Sequence, residues 1–234
     1  MSESEGPGSR RGRVHDAKGA REAILNAAEV VFAEHGFSGA RIDAIAAESS
    51  YNKSLLFQYF GDKLGLYMEV IKRADKEMNE IQARVLTPLL EDETITSDVN
   101  AFKALLETIV TLIFDYLVER PRFTRILLWE MAEGWETYAK IVTRMDVNTD
   151  DLVLAERLFH NAYNAGVIRS DFVPVIQFTL ILQICQAYLA FIPLYQIVLP
   201  DEDLSSTASL ARARKYIVDL IVAGIIKDVP ETTP

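Results

Sequence analysis

Apolar side chains recur at helical spacing along most of this 234-residue chain. In the first such segment, Ala20 to His35, the residues Ile24, Ala28 and Phe32 fall on one face, as expected of an amphipathic helix. Gly36 follows directly and predicts the end of that helix, because glycine adopts positive φ without steric cost. The chain therefore opens its helical pattern with a helix that buries one side.

Residues 42 to 63 predict two short helices joined by a tight polar corner. Their inward-facing residues are apolar and helically spaced, namely Ile42, Ile45, Ala46, Leu56 and Phe60. Ser49-Ser50 interrupts the first helix, and Asn52 is a favourable N-cap for the second. The outer face of the second helix is left to Lys53, Ser54, Phe57 and Gln58. Two helices in this arrangement form a helix-turn-helix, whose second helix is suited to the major groove of DNA.

The remainder of the chain carries helical signals, with no convincing alternating strand pattern. A fourth helix, capped by Asp62, is predicted to run to about Leu86, before Pro88. The later predicted helices cover Ser97 or Asp98 to Glu119, Arg122 to Glu133, Trp135 to Met145, Asp150 to Ala165, Phe172 to Leu199 and Ser205 to Ile226. The sequence thus predicts an all-α protein with a three-helix N-terminal domain over residues 19–65 and a helical domain over residues 66–234.

Charge is distributed unevenly along the chain. The formal net charge is −10, yet residues 1–63 hold eight basic and nine acidic residues, so most of the acidity lies further along. From Ser9 to Arg21 five basic residues face one acidic residue. Residues 1–18 are therefore predicted to form a flexible basic arm. Two interpretations stay open for it: a solvated tail, or an arm that follows DNA phosphates or enters a minor groove.

The cysteine and histidine content and the hydropathy of the chain limit which disulfide, metal and membrane sites the sequence allows. The single cysteine, Cys185, excludes an internal disulfide and suits a reducing cytoplasm, and residues 1–13 do not resemble a signal peptide. The three histidines show no metal-ligand spacing, so neither a metal nor a cofactor is predicted. The charge-free run from Phe172 to Leu199 is long enough to span a bilayer, but its two prolines and four glutamines favour a helix covered by protein. No membrane partner is expected.

The stretch from Arg21 to Leu66 resembles the N-terminal domain of TetR-type transcriptional regulators. The likeness is carried by the motif Phe-Ala-Glu-His-Gly-Phe at Phe32 to Phe37, by Ile45-Ala46, by the run from Lys53 to Phe60, and by Asp62-Lys63. Three positions depart from the family pattern. The corner has Ser50-Tyr51 in place of glycine and a small apolar residue, Ala40-Arg41 stands where threonine is common, and Ser54-Leu55 replaces Gly-Thr. These departures affect the DNA sequence recognised more than the fold.

The resemblance implies a double-stranded DNA operator as partner and assigns the contacts. Lys53 and Ser54 would face base edges, with Lys53 pairing to guanine, and Leu55 would press on a thymine methyl. Phe57 and Gln58 would cover the sugar-phosphate edge and neighbouring bases. The expected phosphate contacts are Arg41, Tyr51, Tyr59 and Lys63.

The same resemblance implies that residues 66–234 bind an unidentified small-molecule effector and form a homodimer through the last two helices. The charge-free run independently favours an interface, the alternative being a single buried core helix. Candidate effector contacts are aromatic, acidic or amide side chains, namely Trp129, Glu130, Trp135, Tyr138, Phe159, Tyr163, Gln183, Gln186 and Tyr188. The first four suggest a site for a lipophilic cation, although aromatic residues at this spacing also form ordinary core.

The function implied is a cytoplasmic, ligand-responsive transcriptional regulator, with repression the expected mode. In such a regulator, binding of an effector would swing the helix from Asp62 to Leu86, and the protein would then release a palindromic operator. An all-helical enzyme and a helical protein-interaction module are the alternatives. The enzyme is disfavoured, and no catalytic residue is predicted, because the sequence has no Gly-rich phosphate loop and no nucleophile–base pattern beyond chance.

Overall fold

The computed structural model describes residues 8–92, 94–144, 150–169 and 173–227, with side chains from residue 17 onward except those of residues 150–152, 174 and 175. Its helices, in chain order, are α1 (Gly8–Gly39), α2 (Ile42–Ser49), α3 (Lys53–Phe60), α4 (Lys63–Leu90), α5 (Val99–Glu119), α6 (Pro121–Ala132), α7 (Glu136–Arg144), α8 (Asp150–Asn164), α9 (Pro174–Val198) and α10 (Thr207–Ile225). An isolated antiparallel bridge joins Ile168 to Ile226. The predicted all-α fold is confirmed.

Three predicted caps, Asn52, Asp62 and Asp98, are observed at the starts of α3, α4 and α5. Asn52 Oδ1 accepts a hydrogen bond from the Leu55 amide at 2.9 Å, and Asp62 Oδ1 accepts one from Gly65 at 2.6 Å. Asp98 caps α5 through the Ala101 amide at 2.8 Å, and Ser206 caps α10, which begins at Thr207 rather than at the predicted Ser205. Each cap satisfies an amide that has no partner inside its own helix, which fixes where that helix begins.

Three boundaries differ from the sequence-based prediction by three residues or more. Helix α1 bends at Gly36, its predicted end, and continues to Gly39. Helix α1 begins at Gly8 rather than near Ala20, so the backbone of residues 8–18 is helical. Helix α4 continues past the predicted end to Leu90 with Pro88 inside its last turn, so that turn lacks the amide donor of residue 88. The predicted helix end at Met145, the cap Thr149, the helix start at Phe172 and the first seven residues of the basic arm lie outside the described residues.

The chain forms two compact units. The head unit takes residues 1–77 with 125–146, and the body unit takes residues 78–124 with 147–234. Helices α4 and α6 contribute residues to both units. The compact units therefore divide differently from the predicted functional domains, since residues 66–77 and 125–146 group with the head. The functional boundary at residue 65 stays a prediction.

The core of the head unit is built from the predicted apolar faces. Ile24, Ala28, Phe32, Ile45, Leu56 and Phe60 are all buried. Tyr67 of α4 enters the same core, where its ring meets Phe32 edge-on at 4.8 Å between centroids. Helix α1 packs against α2, α2 packs against α3, and the contact between Phe32 and Tyr67 joins α1 to α4.

The body unit is organised around α5, whose buried residues include Phe102, Leu105, Leu106, Ile109, Ile113 and Tyr116 as the spacing predicts. Helix α5 packs against α9 and α10, and α8 packs against α9. Ile176–Val198 of α9 is one helix that is long and apolar enough to cross a membrane by length and composition, with a mean hydropathy of 1.6 and only 17% of its residues buried. Length and composition alone are weak evidence for a membrane span.

Candidate nucleic-acid interface

The corner between α2 and α3 is stabilised by its own serines. Ser49 Oγ donates to the Ala46 carbonyl at 3.2 Å and accepts from the Tyr51 amide at 3.4 Å. Ser50 closes α2 in the left-handed conformation, with φ of 60° and ψ of 21°. That conformation favours glycine, which accounts for the glycine common in the family, and Ser50 adopts it in place of glycine.

Helix α3 is anchored on one face and open on the other. Leu56 and Phe60 are buried, whereas the side chains of Lys53, Ser54, Phe57 and Gln58 are exposed. Leu55 and Tyr59 are half-buried at the edges of the open face, and Tyr51 is half-buried in the corner. The structure thus brings the residues predicted for base contact onto one solvent-facing surface. Their contact with DNA stays a prediction.

The two cations nearest this surface differ in their surroundings. Arg41 is exposed at the N-cap position of α2. Lys53, the first residue of α3, forms an ion pair with Asp43 in the first turn of α2. This pairing crosses the corner, and the spacing of the two residues in sequence does not predict it.

Lys63 is largely committed to the protein itself. Its Nζ donates to the carbonyls of Phe37 at 2.8 Å and Ala40 at 3.0 Å, and it lies 4.5 Å from the centroid of the Phe37 ring. Burial lowers the pKa of Lys63, and the Glu133 carboxylate acts in the opposite direction. An ammonium has three donors, so one remains for the predicted phosphate contact.

Residues of α6 and α7 hold the head together from a distant part of the sequence. Glu130 is buried, and its two carboxylate oxygens accept from the Tyr67 hydroxyl at 2.6 Å and the Tyr138 amide at 2.9 Å. Trp129 Nε1 donates to the Ala33 carbonyl at 3.1 Å, and its ring packs over Gly36. Burial, reinforced by the Glu130 hydrogen bond, raises the pKa of Tyr67. Sequence reasoning assigned Trp129 and Glu130 to effector contact and missed these bonds.

Comparison with known proteins establishes the family. The model described as "Bacterial regulatory proteins, tetR family" matches residues 24–70, and the one described as "Tetracyclin repressor-like, C-terminal domain" matches residues 103–221. The chain belongs to the TetR family of bacterial regulatory proteins. The resemblance inferred from residues 21–66 is confirmed, and it extends well beyond them.

Two curated relatives of this TetR-family chain are named as repressors. It is 31% identical over 118 residues to the HTH-type transcriptional repressor NicS of Pseudomonas putida, which covers 50% of this chain and 51% of NicS. It is 33% identical over 118 residues to the repressor SCO4008 of Streptomyces coelicolor, covering 50% and 53%. The chain thus spans about half the length of the curated relatives it matches.

A solved structure supports the fold over nearly the whole chain. The transcriptional regulator FadR from Bacillus subtilis, in complex with stearoyl-CoA, aligns with a TM-score of 0.58 over 87% of this chain and 98% of FadR. The sequence identity is 15%, so the likeness establishes the fold alone.

The nine predicted effector contacts are divided between the two units. Trp129, Glu130, Trp135 and Tyr138 belong to the head, whereas Phe159, Tyr163, Gln183, Gln186 and Tyr188 belong to the body. In the head, Trp135 and Tyr138 meet edge-on at 5.8 Å. Their effector role stays a prediction.

The body residues of that set differ widely in exposure. Tyr163 and Gln183 are exposed, Tyr188 is half-buried, and Phe159 is buried edge-on to Phe102 at 5.7 Å. Gln186 is buried, and its Nε2 has no hydrogen-bond partner among the described residues. An unpaired buried donor is costly, so Gln186 is the member of this set that most needs an acceptor.

A small apolar cavity of about 40 Å³ lies inside the body unit, between α4, α5, α8 and α9. Its lining consists of apolar side chains and one neutral amide, namely Gln82, Leu86, Leu90, Leu105, Ile109, Leu154, Ala155, Leu158, Phe159 and Phe178. The space holds about one water molecule, so a larger guest requires the surrounding helices to separate. No group of three or more metal-ligating side chains occurs among the described residues.

Proposed function

We propose that this protein is a homodimeric transcriptional regulator that binds a palindromic DNA operator, acting as a repressor. The observation that carries the proposal is the open face of α3, held on a helix whose other face is buried through Leu56 and Phe60. We call α3 the recognition helix from here on. The repressor names of NicS and SCO4008 support the mode of action. A cytoplasmic location follows, because a bacterial chromosome lies in that compartment.

The recognition helix would read bases mainly through Lys53 and Ser54. Lysine pairs with O6 and N7 of guanine, and the half-buried Leu55 would contact a thymine methyl. Arg41, Tyr51, Tyr59 and the remaining donor of Lys63 would position the helix on phosphates.

Substitution by alanine distinguishes the roles of Lys53 and Lys63. Lys53→Ala should weaken binding to the operator by about 1–3 kcal/mol, with little effect on unrelated DNA, because a base contact is lost. Lys63→Ala should weaken operator and unrelated duplexes alike, because a phosphate contact carries no sequence information. Titration of both variants against both duplexes distinguishes the roles. An equal loss on both duplexes for Lys53→Ala would remove it as a base reader.

Dimerisation through α9 and α10 is supported by an exposed apolar stripe. On α9 the spacing alternates between four and three residues, as in a coiled-coil seam, through Leu180, Ile184, Ala187, Phe191, Leu194 and Val198. Phe191, Leu194 and Val198 are 48%, 49% and 68% exposed, which is unusual for a stripe of this length. A groove of about 490 Å³ between α9 and α10 continues the same surface, and Leu220 lies in it. A second copy of the chain would cover this face.

The effector we propose is uncharged, largely apolar and equipped with an acceptor oxygen. The cavity lining supplies no charge, which argues against the lipophilic cation suggested by Glu130 and Trp129. Gln186 is not part of that lining: it follows Phe178 by eight residues on α9, which is about 12 Å along the helix and roughly 80° around it, so a guest would have to extend beyond the cavity to reach it. The unpaired Nε2 of Gln186 would donate to a carbonyl or ester oxygen of the guest. FadR, a neighbour in fold, was solved with stearoyl-CoA.

Effector entry would act on DNA binding through α4. Gln82, Leu86 and Leu90 line the cavity, whereas the first half of the same helix lies in the head and buries Leu66 and Tyr67. Because the cavity must expand to accept a guest, α4 would shift and carry the recognition helix with it. The effector lowers operator affinity only in proportion to its preference for the expanded state.

The effector class is tested with fatty acid methyl esters and with alkanes of matched length. Esters should raise the melting temperature and weaken operator binding more than the alkanes do. Gln186→Leu should remove the advantage of the ester, whereas Gln196→Leu, at an exposed position of the same helix outside the predicted effector contacts, should retain it. Equal responses of both variants would contradict the role of Gln186.

DNA binding itself is tested by titrating the protein with a fragment from upstream of its own gene at several salt concentrations. We expect affinity that falls steeply as salt rises, because phosphate contacts release counterions. A helical protein-interaction module would show no such binding.

A further inference from the structure

The surface around the helix-turn-helix carries almost no net charge. Between residues 40 and 60 the basic side chains are Arg41 and Lys53, and the acidic ones are Asp43 and Glu48. Lys53 is the one cation on the recognition helix, and it is paired with Asp43. Such a surface is unusual for a DNA-binding element, because non-specific affinity depends on unopposed cations.

Other basic residues of the head are also held by the protein. Lys63 donates to two backbone carbonyls, Arg21 pairs with Glu69 and lies 5.1 Å from the Phe60 ring centroid, and Arg73 pairs with Glu29. Arg41 is exposed and has no ion-pair partner among the described residues, whereas Arg21, Lys63 and Arg73 are engaged by the protein and less available to phosphates. Releasing Lys53 would change the electrostatics of this surface substantially.

The position of Asp43 makes Lys53 respond differently to phosphates and to bases. The side chains of Lys53 and Asp43 are 52% and 70% exposed, so their pair is open to an approaching duplex. A phosphate that approached the ammonium would also approach the carboxylate, and the two anions repel each other. A guanine edge offers neutral acceptors, and an ammonium has three donors, so Lys53 can bond guanine while it keeps Asp43.

We propose that Asp43 is a specificity-determining residue of this DNA-binding surface, which holds Lys53 away from phosphates and leaves it available to guanine. This inference rests on the proposed function. Asp43 lowers affinity for DNA of arbitrary sequence and thereby widens the difference between operator and non-operator DNA.

The test compares two variants that each remove one negative charge from α2. Asp43→Asn frees Lys53, whereas Glu48→Gln acts at an exposed position for which the described part of the chain supplies no ion-pair partner. Binding is measured against a mixed-sequence duplex and against a duplex selected from a randomised pool by the wild-type protein. Both are titrated over a range of salt concentrations.

Asp43→Asn should raise affinity for the mixed-sequence duplex roughly three- to tenfold and steepen the dependence of log affinity on log salt by about 0.9 for each lysine freed. Affinity for the selected duplex should rise less, so the specificity ratio falls. Glu48→Gln should leave that ratio within about twofold, since its charge lies outside the pair. In a Lys53→Ala background, Asp43→Asn should have no effect on the ratio.

Three results would overturn the inference. One is an equal gain on both duplexes for Asp43→Asn, and another is the same gain when Lys53 is absent, which would indicate general repulsion by Asp43. The third is a ratio that falls as much for Glu48→Gln. If Asp43→Asn unfolds because α2 loses an acidic first-turn residue, Asp43→Ser replaces it in the same comparison. Failure of the wild-type protein to bind any duplex would instead contradict the proposed function.

Discussion

Glu130 is a carboxylate in a place where an isolated charge would be costly. It is 1% exposed, and the Tyr67 hydroxyl and the Tyr138 amide each donate to one of its oxygens. Buried polar groups of this kind are tolerated because they are hydrogen-bonded. The pair with Tyr67 ties α6 to α4 within the head, next to the core that carries the recognition helix.

Removing the Tyr67 hydroxyl should show how much the stability of the protein depends on its hydrogen bond to Glu130. Tyr67→Phe should lower the free energy of unfolding by about 1–3 kcal/mol, because one Glu130 oxygen would lose its donor without gaining water. Tyr59→Phe is the control, since no hydrogen bond to the half-buried Tyr59 hydroxyl is found in the described residues. Urea denaturation measures both variants. An equal change for both would show that the Tyr67–Glu130 bond contributes nothing.

The pH dependence of this bond has a definite sign. The pKa of Tyr67 is raised above its ordinary value of 10.0, so its contribution is present in full below pH 10.0 and decreases as pH rises toward the folded-state pKa. The stability difference between wild type and Tyr67→Phe should accordingly shrink in strongly alkaline solution.

Contacts between individual side chains were the feature of this protein that the sequence predicted least well. The outward residues of α3 follow from helical spacing, and their exposure was predicted. The pairing of Lys53 with Asp43, the bonds of Lys63 to the carbonyls of Phe37 and Ala40, and the burial of Glu130 are contacts across turns or between distant segments. Periodicity in one chain carries no information about them.

At the scale of elements, the bend at Gly36 shapes the end of α1. Its φ of 66° and ψ of 179° belong to a region that only glycine adopts readily. A Cβ at this position would also lie 3.0 Å from Trp129 Cδ2, so the bend and the packing of α6 depend on the same residue.

Gly36→Ala should therefore destabilise the protein by about 1–3 kcal/mol, since it imposes backbone strain and a steric clash together. Gly19→Ala in the same helix is the matched control: its Cβ meets nothing within 4 Å, and it should stabilise by about 0.5–1 kcal/mol. Thermal unfolding compares the two. A neutral effect of Gly36→Ala would show that the bend relaxes without cost.

Element boundaries show what local sequence signals do and do not contain. Asn52, Asp62 and Asp98 were identifiable as caps, because the reason a cap works is local. The helical backbone of residues 8–18 was not, because this polar segment has no apolar period even though Arg, Lys and Ala favour helix.

At the scale of the whole molecule, the apolar stripe of α9 predicts an assembly of two chains. Val198→Glu should raise the dimer dissociation constant by roughly a hundredfold or more, since burying an unpaired charge costs about 3–5 kcal/mol. Val153→Glu on α8 is the control, because Val153 is 63% exposed, close to the 68% of Val198, and lies outside the stripe. Analytical ultracentrifugation reports the change. Dimers that persist unchanged in Val198→Glu would place the interface elsewhere.

The proposed two-chain assembly follows from the charge-free run in the sequence, whereas the proposed effector cavity could not be predicted from it. Aromatic and acidic residues near Trp129 suggested a pocket, but those side chains are engaged within the head. The cavity of the body is lined by ordinary leucines and phenylalanines that are indistinguishable in sequence from core. Only the arrangement of these side chains around an empty space distinguishes them from ordinary core residues.

The central claim is that two copies of α3 enter successive major grooves of one duplex. Hydroxyl-radical footprinting of the selected operator with the wild-type protein tests it most directly. We expect two protected blocks related by a two-fold axis and centred about 34–36 Å apart, or a multiple of that distance, and Lys53→Ala should weaken both blocks together. A single protected block, or full protection by a protein whose α3 surface is replaced by alanine, would contradict the account.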